Sequence, residues 1–245
     1  MKIGNREIGG KTFIIAEAGV GHAVDPYEGG ILLPLPLRRE QKAMGLVGMA
    51  WEAGADAVKF QMFVPDEPLF CPLDGDDDRW VLWANTFMPF GSWQKVKTYA
   101  DGIGITFLAS AFQPIAVEWL KELKVDAYKV ASRAVDNYPY GKVPGPFIIS
   151  CGRAIPIQVG HLFGKSWRLQ CDATYPCKPT AWNSLDGLSD HSGSVYPGLY
   201  AIAHQAPILE VHFKLKNGGP DDAVSLSIDQ LKFLCEARDE FASLC

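Results

Sequence analysis

No stretch of the 245-residue sequence approaches the roughly 18 apolar residues needed to cross a bilayer. The start leads into polar Gly4, Asn5, Arg6 and Glu7, not into the apolar segment of a secretory signal. Membrane-spanning and secreted classes are therefore set aside, and the expected location is the cytoplasm. A dense Lys/Arg block is also missing: 23 Lys and Arg against 28 Asp and Glu leave a formal charge of −5. Such a field repels a polyphosphate backbone, so neither nucleic acid nor a membrane surface is an expected partner. There is no Walker phosphate loop and no GxGxxG dinucleotide fingerprint, which removes the usual grounds for ATP or NAD use. The six cysteines (Cys71, Cys151, Cys171, Cys177, Cys235 and Cys245) are scattered without a CxxC pair. That scatter predicts free thiols, not a disulfide scaffold.

What is present is enough apolar side chain (48%) for one sizeable core and enough charge (21%) for a hydrated surface. The length suits a single α/β barrel, and we expect one domain over residues 1–245 with no repeat. Short apolar runs predict strands over residues 12–16, 55–61, 103–109, 126–131, 147–150, 167–171, 185–189 and 207–212. Helical spacing occupies 38–52, with Gly54 as its stop, and 93–101. Pro114 opens a helix to 123 at a position where its missing N–H is harmless. A further helix is expected in 193–205, with Pro197 confining it to the later part, and Ser227 to Gln230 forms a capping-box pattern before the last one. The Pro- and Gly-rich stretch 25–36 reads as a loop over one barrel mouth, and Asp76-Asp77-Asp78 as a solvated loop. Between 131 and 147, Tyr138-Pro139 and Pro144-Gly145-Pro146 leave too little room for a crossover helix, so the fourth outer helix is expected to be missing. Eight strands separated by crossovers make a (β/α)8 TIM barrel with some shortened or missing outer helices.

In such a barrel the carboxyl ends of the strands form the functional mouth. Glu17, Lys59, Gln61, Ser110, Lys129, Ser132, Ser150, Thr174, Ser189, Asp190, His191, Glu210 and His212 all close or follow predicted strands. Two lysines beside a barrel core require anions or strong hydrogen bonds. A phosphate or carboxylate ligand, pairing with Glu17, or a Schiff-base role for a desolvated amine would each account for them. His191 and His212 can converge on one divalent ion of the Mn²⁺ type with positions left open, or remain ordinary hydrogen-bonded imidazoles; two imidazoles are too few for a structural zinc site. Residues 218–222, Gly-Gly-Pro-Asp-Asp, read either as a surface turn or as a mouth loop. In the second case Asp221 would meet a sugar hydroxyl or a metal-bound water.

Taken in order, several segments carry a resemblance. They are Ile15-Ala16-Glu17-Ala18-Gly19, the run from Glu52 to Gln61, Tyr128-Lys129-Val130-Ala131-Ser132 and Thr174-Tyr175-Pro176. The order continues with Leu188-Ser189-Asp190-His191-Ser192, His212-Phe213-Lys214-Leu215 and Gly219-Pro220-Asp221. The chain resembles the sialic acid synthase family, whose members condense phosphoenolpyruvate with an N-acetylated amino sugar. The resemblance implies that His191 and His212 hold a metal, Mn²⁺ or another divalent ion, and that phosphoenolpyruvate lies among Lys59 and Lys129. Gln61, Ser110, Ser132, Ser150 and Ser189 complete that shell, with Thr174 standing where an Asn is used around the phosphate. Glu17 matches the acid of the catalytic mouth, and Asp221 a carboxylate near the acceptor sugar. A homodimer is also implied.

The chain departs from the family pattern at several places. Ser132 is followed by Arg133 and Ala134, where the family has an acid two positions after the serine. Gly21-His22 stands for Asn-His, Ser110-Ala111-Phe112 for Thr-Pro-Phe, and Asp222 for a histidine after the first acid. The sequence stops where the family has a linker and a small antifreeze-like domain, so no such domain is expected in it. The implied product is a sialic-acid-like 2-keto sugar acid plus phosphate. The alternative is a weakened barrel that binds a sugar phosphate or carboxylate without turnover.

Overall fold

The computed structural model describes residues 1–24, 34–74, 76–152, 164–215, 219 and 221–244, with the side chains of 77–79 excepted. A short antiparallel hairpin, β1 (Lys2–Ile3) and β2 (Arg6–Glu7), comes first. Then follow β3 (Phe13–Gly19), β4 (Ala57–Met62), β5 (Thr106–Ala111), β6 (Tyr128–Val130), β7 (Phe147–Cys151), β8 (Ser166–Cys171), β9 (Gly187–Asp190) and β10 (Ile208–His212). These eight strands are parallel and close in the order β10-β3-β4-β5-β6-β7-β8-β9, so the last strand pairs with the first. Each coincides with a predicted strand to within a few residues at either end. Four of them, β3, β6, β9 and β10, are buried along their whole length, as expected where both faces of a parallel sheet are covered.

The barrel interior is filled in two chemically distinct tiers. Phe13, Ile15, Ala57, Leu108, Ala127, Ile148, Trp167, Leu169 and Ile208 form an apolar tier toward the amino ends of the strands. Because side chains alternate along a strand, the next inward positions lie two residues further on, and there the chain places Glu17, Lys59, Ser110, Lys129, Ser150, Cys171 and Ser189. The hairpin, which the sequence reading passed over, plugs the lower end: Ile3 is fully buried against the apolar tier. Asp56 fastens that end by accepting from the Ile14 amide at 2.8 Å and from Arg238 at 2.6 Å while pairing with Arg6 of the hairpin.

The outer helices follow the predicted ones with corrections. α1 (Leu35–Glu52) buries Ala43, Leu46, Val47 and Ala50 on one face. α2 (Asp76–Thr86) replaces the expected solvated loop: the acidic run is its first turn, and the Asp76 carboxylate accepts from the Leu73 amide at 2.8 Å. α3 (Phe90–Ile103) ends at Gly104, whose φ of +83° suits the left-handed cap. α4 (Pro114–Glu122) begins on its proline as expected. α5 (Val195–Ala203) starts before Pro197 and holds it buried in the first turn, where proline is tolerated, so Pro197 does not confine the helix. α6 (Ile228–Ser243) carries the reciprocal Ser227–Gln230 capping box. Between β6 and β7 only two 3₁₀ turns occur, Ser132–Ala134 and Tyr140–Lys142, and the wall is covered by Tyr138, Tyr140 and Phe70 around Phe147. Outside β8 the side chain of Gln170 donates to the Ala181 carbonyl and accepts from the Asn183 amide, so a loop lies where a helix would.

Among the described residues no helix is long and apolar enough to cross a membrane, and Cys71, Cys151, Cys171, Cys177 and Cys235 are free. Of the expected mouth loop over 25–36, residues 25–33 lie outside the described residues, as do Gly218 and Pro220, whereas Leu35 and Pro36 belong to α1, whose first turn tolerates a proline.

His22 sits in the wall with no exposure, its ring edge-on to Phe60 and Trp93, and its Nε2 donates to the Thr86 carbonyl at 2.9 Å. Burial, reinforced by Lys42 and Arg39, holds its pKa down at about 4 despite that bond. The unfolded chain therefore binds more protons than the native one below pH 6.5, and stability present above that value is lost as the pH falls toward 4. The wild type should lose about 3 kcal/mol across this window that a His22→Gln variant keeps, as read by urea denaturation at both ends.

Candidate active site

The polar tier opens into a cavity of about 890 Å³ at the carboxyl ends of the strands, a volume suited to a small-molecule ligand. Its floor is a set of buried opposite charges. From β4, Lys59 contacts Glu17 of β3 at 2.5 Å and donates to Ser110 of β5 at 3.1 Å. From β6, Lys129 donates to Ser150 of β7 at 2.8 Å and lies 3.4 Å from Glu210 of β10, with Glu210 also 4.0 Å from Lys59. Ser189 of β9 donates to Glu210 at 2.8 Å. All four charged side chains are at most 4% exposed, so each ammonium persists only because a carboxylate faces it.

The two carboxylates are pushed apart in acidity. Burial raises Glu17 to about 7 against the pull of Lys59. Burial acts the same way on Glu210, but Lys129 and Lys59 together outweigh it and hold that group at about 2. Burial works against the Lys59 ammonium too, yet Glu17 and Glu210 more than compensate and keep it charged, whereas burial prevails at Lys129 and lowers it. Lys59 is thus an anchored cation and a poor amine nucleophile, which weighs against its Schiff-base role.

The wall opposite β6 carries the histidines. His191 follows β9 and His212 ends β10, with ring centroids 5.2 Å apart. The Tyr175 ring lies 5.1 Å and 5.7 Å from them, and its hydroxyl is 3.1 Å from His212 Nε2 and 3.4 Å from Asp221. Burial lowers both imidazoles, His191 to about 3 with help from His212, and so leaves their lone pairs available. Nδ1 of His212 is buried without a hydrogen bond, 3.9 Å from Asp221. Two neutral imidazoles with an orphaned ring nitrogen fit a divalent ion that takes its remaining ligands from water and substrate. No larger His/Cys/Asp/Glu cluster of metal-binding type occurs among the described residues. The chain reaches Asp221 only because Gly19 leaves room, with φ +53° after a shift in register at the end of β3. A Cβ there would stand 2.5 Å from the Asp221 carboxylate.

Glu17, Lys59, Gln61, Ser110, Lys129, Ser132, Ser150, Ser189, His191, His212 and Asp221 therefore share one cavity, with Gln61 donating weakly to Glu17 at 3.4 Å. Thr174 is the exception. It is exposed and does not line the cavity, because its amide is turned back onto the Asp172 carboxylate at 2.8 Å and the neighbouring Tyr175 faces inward in its place. Asp190 is buried, accepts from Ser192 at 2.8 Å, and lies outside the lining. Ala134 packs in the apolar core, and the residue that faces the cavity there is Arg133. Sequence reasoning gave no role to Glu210, although its place two residues before His212 on one strand was a usable signal. It also missed Tyr175 and Arg133, which sit on irregular segments, and Trp83, which sits on the α2 helix that was read as part of a loop.

The NeuB family model matches residues 46–244. Pseudaminic acid synthase of Campylobacter jejuni is 28% identical over 282 residues, covering 97% of this chain and 76% of that protein. Human N-acetylneuraminate-9-phosphate synthase is 28% identical over 271 residues, covering 92% of this chain and 69% of its own length. Among solved structures, N-acetylneuraminic acid synthetase from Leptospira borgpetersenii superposes with a TM-score of 0.80 at 21% identity, covering all of this chain and 89% of that one.

Proposed function

The chain belongs to the NeuB family, and on that premise we propose that it is a cytoplasmic enzyme condensing phosphoenolpyruvate with an N-acetylated amino aldose to give a sialic-acid-like 2-keto sugar acid and phosphate. The observation that carries this reading is the facing of two ends in one cavity: buried Lys59 and Lys129 on the floor, and the His191–His212 pair with Asp221 on the wall.

Lys59 and Lys129 bind the carboxylate and phosphate of the donor as charge partners, with Ser110, Ser132, Ser150, Ser189 and Gln61 supplying hydrogen bonds. Asp221 and Tyr175 orient hydroxyls of the open-chain acceptor beside the imidazoles. His191 and His212 would hold a divalent ion such as Mn²⁺, which when bound supplies Lewis-acid stabilisation of the aldehyde oxygen as negative charge develops there. The C3 carbon of the donor forms the new C–C bond with the aldehyde carbon, and the aldehyde oxygen takes up a proton. Water adds to C2, and the C2–O bond to phosphate then breaks, which leaves the ketone and releases inorganic phosphate. In this reading Glu17, whose carboxyl burial raises to about 7, takes the proton from that water.

Purified protein should release phosphate only when phosphoenolpyruvate, a suitable amino aldose and Mn²⁺ are all present, with the condensed acid visible by mass. Donor binding without product across an amino-aldose panel would contradict the synthase reading and leave a binding barrel. Replacing His191 or His212 with Ala should weaken Mn²⁺ affinity at least tenfold in a calorimetric titration, with the barrel still folded by circular dichroism. Unchanged affinity in both variants would remove them as ligands.

A further inference from the structure

Position 133 holds a cation at the cavity edge, directly after Ser132 and across the barrel from His212. The Arg133 guanidinium is committed to partners at the cavity rim. It donates to both carboxylate oxygens of Asp76, at 3.0 Å and 2.5 Å, and to the Cys71 carbonyl at 2.6 Å. It also lies 5.7 Å from the centre of the Trp83 ring, at cation–π range. The two charged side chains are only 14% and 13% exposed, so the fork-shaped pair is shielded from solvent. A second tie runs parallel to it, from Asn137 to the Phe70 carbonyl at 3.0 Å. Trp83 stacks on Phe63, and Phe63 on Phe112, each at 4.5 Å and nearly coplanar, which makes the inner wall of the cavity above β4 and β5. On the other side, the Ser132 hydroxyl accepts from the Gly152 amide at 3.0 Å and so joins the turn after β6 to the end of β7.

We infer that Arg133 is a positioning residue that fastens the wall formed by 70–74 and α2 to the turn carrying Ser132, so that wall and floor of the anion pocket keep a fixed spacing. The link joins segments 57 residues apart, and the planar guanidinium meets both carboxylate oxygens of Asp76 in a fork while still reaching a carbonyl, which a single ammonium point charge does not match. The kinetic part of this inference rests on the proposed donor site, while the mechanical part does not. A bound anion that contacted Arg133 itself would instead compete with Asp76 for the guanidinium.

The test compares Arg133→Met, Arg133→Lys and Asp76→Asn in the full chain. Arg133→Met and Asp76→Asn should each raise the phosphoenolpyruvate KM about tenfold with kcat changed less than about threefold, Arg133→Lys should fall between, and the double variant should be no worse than either single one. Backbone hydrogen exchange over 70–74 and 80–86 should quicken in both single variants. Tighter donor binding in Asp76→Asn would overturn the inference in favour of direct anion contact, and unchanged exchange in both variants would overturn it outright. If the wild type binds no phosphoenolpyruvate, the proposed function fails, and the exchange comparison still decides the role of Arg133.

Discussion

Everything at the mouth of this barrel depends on the mutual neutralisation of two lysines and two glutamates inside it. Moving one such ion from water into a protein interior costs several kcal/mol, and removing one member of a buried pair costs about 3–5 kcal/mol because its partner is stranded. Lys59 with Glu17 and Lys129 with Glu210 satisfy that constraint across β3, β4, β6 and β10, so the tier is held by strands from opposite sides of the barrel. Its net formal charge is zero. In the proposed function an arriving anion would meet preoriented ammonium groups and draw them partly away from carboxylates already in place.

The apolar tier beneath makes this arrangement affordable by keeping water out from below. Ile3 of the hairpin seals the lower end, and Asp56 locks hairpin, β3 and α6 together. Above the charged tier the environment divides. Neutral imidazoles, Tyr175 and Asp221 stand on the β9–β10 side, while the Arg133–Asp76 pair and the Trp83–Phe63–Phe112 stack stand on the β4–β6 side. One chamber therefore has an imidazole and hydroxyl end and a cationic end, and the proposed two-substrate condensation rests on that division.

How much of this could be read beforehand varies with the range of the interaction. Strand ends announce themselves, because a short apolar run that meets Lys59, Lys129 or His212 near its end is a local signal. The same logic located Glu17, Ser110, Ser150 and Ser189. Thr174 was misplaced because a single bond from its amide to Asp172 sets the direction of that loop, and no periodicity reports such a bond. The acidic run at 76–78 looked like solvated loop because its helical partners follow it instead of surrounding it. Arg133 and Asp76 meet across 57 residues of sequence through tertiary contact alone, and no spacing rule anticipates that pairing.

The central claim is that the buried ammonium groups are an anion receptor and not only a structural salt-bridge layer. Calorimetric titration of phosphoenolpyruvate into the wild type and a folded Lys129→Met variant tests it most directly. Loss of one charge-assisted contact should weaken binding by roughly 10- to 100-fold. Equal affinity in the two proteins would show that Lys129 serves the fold alone and would contradict the account.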